Sequence, residues 1–183
     1  MRKLLAVSTG LALVLSLSAC SASSDANGAC TSTTIAGDAT KAVTVEGGFG
    51  EKPTVTFATP LRANETQREV LETGSGAVIA DGETININFS AYDATTGKNL
   101  ADSPYDNATF LTIVNSLSND PNSGAALPGI VKAIQCLPIG SRVLAVTSSQ
   151  DAFGEAGNAQ LGVAANTSLV LIADIVSVSA TRA

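Results

Sequence analysis

Residues 126–146, ALPGIVKAIQCLPIGSRVLAV, and residues 150–178, QDAFGEAGNAQLGVAANTSLVLIADIVSV, decide the fold of this chain. Leu127, Ile130, Val131 and Ile134 recur at i, i+3, i+4 and i+7, which places them on one face of a helix. Pro128 falls in the first turn, where its missing N–H costs nothing, and Pro138 with Gly140 ends the segment. RVLAVTS (142–148) and SLVLIADIVSV (168–178) are apolar on both faces, as central strands covered by other elements are. Between them the glycines around Ala152-Phe153-Gly154 read as turn residues.

Upstream, QREVLET (67–73) is a candidate strand, followed by the turn signals Gly74, Gly76, Asp81 and Gly82. In TININFSAY (84–92) the residues Ile85, Ile87 and Phe89 point one way and Asn86, Asn88 and Ser90 the other, so the second set is expected to face solvent. DATTGKNLADS (93–103) supplies a hairpin turn and a short return, and Asn115 to Gly124 form a polar loop. Val43 and Val45, then Val55 and Phe57, alternate with polar residues as short strands do. One helix among several strands predicts an α+β fold, a curved antiparallel sheet wrapped around one short helix, with extra N-terminal strands.

The N-terminus predicts the compartment. Arg2 and Lys3, the apolar run Leu4 to Leu17, and Leu17-Ser18-Ala19-Cys20 form a secretory signal over 1–19 whose cysteine matches the bacterial lipoprotein box. Two acyl chains on Cys20 give a stable anchor, which predicts a cell-membrane protein, lipid-anchored on the extracytoplasmic face. Residues 20–41 read as a flexible tether, 42–66 as an N-terminal β extension and 67–179 as the main domain. Losing Arg2 and Lys3 with the signal leaves 8 Lys and Arg against 16 Asp and Glu. That balance argues against nucleic acid, which needs clustered cations to displace counterions. Three cysteines are odd for an exported chain, but assigning Cys20 to lipid leaves Cys30 and Cys136 as one disulfide pair.

Composition also closes several routes to chemistry. With no His in the sequence there is no Ser-His-Asp or Cys-His arrangement. The N-D-P-N-S run lacks the spacing and terminal Glu of a calcium loop, so no metal is expected. The glycines of FGEAGNAQLG lack the Lys-Ser or Lys-Thr of a phosphate loop, and no cofactor is expected. Lys132, on the polar side of the helix, reads as solvated surface charge.

The order of Pro-Gly helix, G-S-R turn, strand, A-F-G loop and closing strand resembles the FKBP-type peptidyl-prolyl isomerases, over roughly Gln67 to Val178. The resemblance implies a pocket lined by Phe89, Leu100, Phe110, Ala126, Leu127, Ile130, Phe153 and Leu171. Phe89 stands where the family usually has a strand Tyr, and Leu100 where it has a Phe followed by an Asp, here Ala101. Phe110 in Thr109-Phe110-Leu111 matches the aromatic-bearing strand. Ala126 and Leu127 match the apolar pair before the helix, where the Leu127 amide is the expected donor to a substrate carbonyl. Ile130 takes the place of the pocket-floor Trp, Phe153 of a Tyr and Leu171 of a Phe. Core packing explains Leu127, Ile130 and Leu171 equally well, whereas a Phe between Ala and Gly in a loop is harder to explain that way.

What the resemblance implies is a monomeric peptidyl-prolyl isomerase or foldase acting on proline-containing exported polypeptides, without a catalytic nucleophile. The competing expectation is a catalytically weak peptide-binding or chaperone module, since the pocket has lost its indole, two phenols and a carboxylate. A third is a structural envelope component that only presents its surface loops.

Overall fold

The computed structural model describes residues 30–117 and 126–179. The signal, Cys20 and the polar loop from 118 to 124 lie outside the described residues. Two strands, β1 (Val43–Glu46) and β2 (Thr54–Phe57), pair as a separate antiparallel hairpin. The main sheet comprises β3 (Gln67–Glu72), β4 (Thr84–Asp93), β5 (Asn99–Asp102), β6 (Leu111–Val114), β7 (Arg142–Val146) and β8 (Leu169–Val178). Its order is β3-β7-β8-β4-β5, with β6 pairing the first half of β4, and every pairing is antiparallel. The helix read from the sequence is α2 (Pro128–Ile134), and it packs on β7 and β8.

Period-two alternation gives the sheet two different faces. On the helix side Ile85, Ile87, Val143, Ala145, Leu171, Ala173 and Ile175 meet Ala133 and Ile134 of α2 in one core. On the other side Leu144, Val146, Val170 and Ile172 meet Val43, Val45, Val55 and Phe57 of the hairpin in a second core. There the Phe57 ring packs edge-on against Tyr92, with centroids 6.4 Å apart. The hairpin therefore covers the face that the sequence pattern assigns to solvent. Asn88 and Ser90 are buried, not exposed, because alternation reports which residues share a face and not what lies over it.

At one end of this second face lies a buried ion pair. Arg142 and Asp174 are cross-strand partners, and both side chains are fully buried. The guanidinium donates to both carboxylate oxygens, at 2.6 and 2.7 Å, and to the carbonyls of Gly47 and Glu51 in the β1–β2 turn, at 2.7 and 2.6 Å. Asp174 in turn accepts the Gly50 amide at 2.8 Å. Burial works against the Arg142 charge, but the hydrogen bonds and field of Asp174 outweigh it and raise the pKa. Beside the pair, the Tyr105 hydroxyl bonds Ser90, and burial pushes its pKa up to about 12. Lys52, from the same turn, reaches Asp102 on β5 at 2.7 Å.

The chain just before the hairpin departs from the expected tether. Cys30 and Cys136 form a disulfide, with Cα atoms 5.4 Å apart. Asp38–Lys41 form a helical turn, α1, whose Ala39 and Thr40 are buried and whose Ala39 amide donates to Gln67. Ile35 accepts the Arg68 amide of β3. Residues 30–41 thus belong to the folded unit, and low apolar content did not reveal it because a covalent link and backbone bonds hold them. The disulfide closes a loop of 106 residues. In the chain-entropy model a loop of that size stabilises by about 4–5 kcal/mol.

Breaking a buried pair strands the remaining charge, so Asp174→Ala should cost about 3–5 kcal/mol in urea unfolding, or prevent folding. The double substitution Arg142→Met/Asp174→Leu should recover most of that loss, which distinguishes a stranded charge from lost packing.

Candidate functional site

The residues drawn together on the helix side are those that leave one small apolar pocket. Phe89 from β4, Ile130 and Ala133 from α2, and Leu171 and Ala173 from β8 line a volume of about 10 Å³. Ala126, Leu127, Leu100 and Phe153 pack against the same core, each partly buried. Phe110 does not. It lies just before β6, and strand alternation places Leu111 and Ile113 opposite Ile87 and Ile85, so Leu111 is the side chain that packs there. The aromatic was read one residue away from the inward-facing position, because short strands do not show their phase in sequence.

Two further segments pack against the same core as the pocket. One is the start of α2, where Leu127 is extended (φ −51°, ψ 136°) and its carbonyl accepts the Ile130 and Val131 amides. The Leu127 N–H is paired with no acceptor among the described residues. The second is the β7–β8 connection that carries Phe153. Its turn is held by the Gly154 amide on Ser149 at 2.8 Å, with Gly154 at φ 62°, a conformation that favours glycine.

Gly129 joins the start of α2 to this connection. Its amide donates to the Asp151 carbonyl at 2.8 Å, and a Cβ there would run into the Thr147 side chain. Lys132, one helical turn on, is not free surface charge. Its Nζ bonds both carboxylate oxygens of Asp151, at 2.7 and 2.8 Å, with the Asp151 side chain only 14% exposed. The same carboxylate accepts the Thr66 hydroxyl, which accepts the Ser148 amide at 3.1 Å. Burial works against the Asp151 charge, but bonds from Lys132, Thr66 and Ser148 outweigh it and hold the carboxyl below the ordinary carboxylate range. Sequence reading missed Lys132, Asp151 and Thr66 because their partners lie 19 and 85 residues apart.

Two larger clefts, of about 370 and 410 Å³, share Asn64 and Glu65 and are lined almost wholly by polar side chains. They lack the apolar walls with a few convergent polar groups that mark most small-ligand sites.

The arrangement can be compared with known proteins. No family model matches the sequence, and no curated protein matches it. The N-terminal domain of FKBP42 from Arabidopsis thaliana superimposes with a TM-score of 0.54 at 15% identity, over 73% of this chain and 99% of that one. A peptidyl-prolyl cis-trans isomerase from Pseudomonas syringae gives 0.51 at 19%, over 62% of this chain and 75% of that one. FkpA from Escherichia coli gives 0.51 at 21%, over 62% and 48% respectively. This chain has an FKBP-like fold. Here α2 packs on the antiparallel sheet at β7 and β8, and the small apolar pocket is lined from both helix and sheet.

Overpacking is the expected result of Gly129→Ala. The added methyl group should cost about 1–3 kcal/mol, seen as a lower urea midpoint with an unchanged slope.

Proposed function

We propose that the protein is a peptidyl-prolyl cis-trans isomerase, a foldase for exported polypeptides, held at the extracytoplasmic face of the membrane by lipid on Cys20. It acts as a monomer. The observation that carries this reading is the meeting of Phe89, Ile130 and Leu171 around one apolar pocket in an FKBP-like fold.

The chemistry asks little of reactive groups. An X-Pro bond resists rotation by about 20 kcal/mol because amide resonance makes it partly double. The planar ground state keeps charge separated between oxygen and nitrogen, and water stabilises it. The twisted state loses that separation, so a dry apolar wall favours it over the ground state. In this reading Phe89, Ile130 and Leu171 supply such a wall, Phe153 extends it from the β7–β8 connection, and the Leu127 amide donates to the carbonyl of the substrate.

A binding module is the second reading, favoured by the pocket's volume of about 10 Å³. That space holds roughly one water molecule. A prolyl ring enters only if the walls part, so capture of a peptide and turnover of its bond are separable properties.

Phe153→Ala should lower kcat/KM on X-Pro peptides about tenfold, a loss of about 1.4 kcal/mol of transition-state stabilisation. A protease-coupled assay on the soluble chain, residues 21–183, checks this, with near-ultraviolet circular dichroism reporting a retained fold. Full activity in folded Phe153→Ala would reject the site, and peptide binding lost without any wild-type turnover would favour the binding module. Because the chain has no His, the wild-type rate should be flat from pH 6 to 8.

A further inference from the structure

The outer edge of β3 is partly bare. β3 is the last strand in the order of the main sheet, with β7 on its inner side. Antiparallel pairing turns both backbone groups of every second residue away from the partner strand. On β3 the Arg68 amide donates outward, to the Ile35 carbonyl, so Val70, two residues on, faces outward as well. No residue outside the sheet bonds the Val70 N–H or carbonyl among the described residues. The register slips beyond Val70, so Leu71 has no partner on β7. Val70 and Leu71 are each 37% exposed. Ile35 flanks them beside Arg68, and Phe49, whose amide donates to Glu72 at 2.9 Å, flanks them at the other end. Both flanking side chains are exposed, and none of the four belongs to either core. An apolar strip thus runs along unpaired backbone.

Soluble proteins commonly blunt such an edge with lysine or cover it. Here the one cation of β3, Arg68, is turned inward to the carbonyls of Ala133 and Gln135. The charges left on the strand are Glu69 and Glu72, and Glu51 lies close by, on the Gly48 amide next to Phe49. Neighbouring cations are already committed, Lys52 to Asp102 and Arg142 to Asp174. We propose that this edge is a docking site for an extended, cationic and apolar segment of a client polypeptide, added as a further strand. Main-chain bonds to Val70 would hold the segment, its apolar side chains would cover Val70 and Leu71, and its lysines or arginines would meet Glu69 and Glu72. A second copy of this chain is the poorer occupant. It would bring two acidic strands together with no free cation between them, and like charges on facing strands destabilise. The apolar pocket is lined from β4, α2 and β8, with β7 between it and β3, and the edge requires no proline. Docking there is therefore independent of the isomerase reading.

Two proline-free peptides test this on the labelled soluble chain, residues 21–183: Lys-Val-Thr-Val-Lys-Val-Thr-Val-Lys, and the same peptide with Glu in place of each Lys. The cationic peptide should shift the amide signals of Phe49 and of β3 from Arg68 to Glu72. With free peptide at about ten times Kd, hydrogen exchange at the Val70 amide should slow about tenfold, because only the unbound fraction exchanges. The anionic peptide should bind about tenfold more weakly, since each opposed pair becomes a like-charge pair. Leu71→Lys places a cation on the edge and removes an apolar contact, and it should abolish binding of the cationic peptide while near-ultraviolet circular dichroism stays unchanged. If that variant does not fold, the two peptides on the wild-type chain decide alone. Equal affinity for both peptides, shift changes that avoid β3, or full binding to folded Leu71→Lys would each overturn the proposal. So would protection of Val70 that rises with protein concentration in the absence of peptide, which would assign the edge to a second copy.

Discussion

A guanidinium and a carboxylate with no exposure to water hold the two halves of this molecule together. Arg142 and Asp174 sit opposite each other on the central strands, and their remaining hydrogen-bonding capacity is met by the turn of the N-terminal hairpin. Two ions leave water at a large cost, and that cost is met only when every donor and acceptor is matched. The match here needs the carbonyls of Gly47 and Glu51 and the amide of Gly50, so the hairpin can neither be absent nor shift without leaving a charge unpaired. The pair thus ties the position of the hairpin to the register of the sheet. It also fixes which face the hairpin covers, and so which face is left for α2.

That division positions the site. With one face of the sheet occupied, Ile87, Phe89, Leu171 and Ala173 are directed towards the helix, and the pocket is what remains between them. The helix is held at both ends by contacts from distant parts of the chain. Arg68 of β3 donates to the carbonyls of Ala133 and Gln135 at its C-terminus, where free carbonyls need partners. The disulfide attaches just beyond, at Cys136, and Asp151 holds the first turn.

Much of this was legible in the sequence, for identifiable reasons. Helix α2 and strands β4, β7 and β8 carry strong periodic or continuous apolar patterns, and the structure places them where those patterns predict. The Cys30–Cys136 bridge followed from counting, once Cys20 was set aside. Phe89, Ile130 and Leu171 lie around the pocket because elements of regular period carry them. Local pattern does not report partners, and there the sequence fell short. Arg142 read as the edge of a turn and Lys132 as surface charge, yet one is fully buried and the other is paired with Asp151. Asn115 read as the start of a polar loop, but its side chain is buried and donates to the Ala80 carbonyl. Residues 30–41 read as tether because few of them are apolar, while a disulfide and backbone bonds hold them in place.

The most direct measurement is exchange NMR on an X-Pro peptide titrated with the isotopically labelled soluble chain, which reads turnover and the place of binding together. A prolyl isomerase with the pocket described here gives cis-trans exchange that quickens in proportion to protein concentration, with shift changes centred on Phe89, Leu127, Ile130, Phe153 and Leu171. Exchange no faster than that of the free peptide, with shift changes confined to the polar clefts around Asn64 and Glu65, would contradict it.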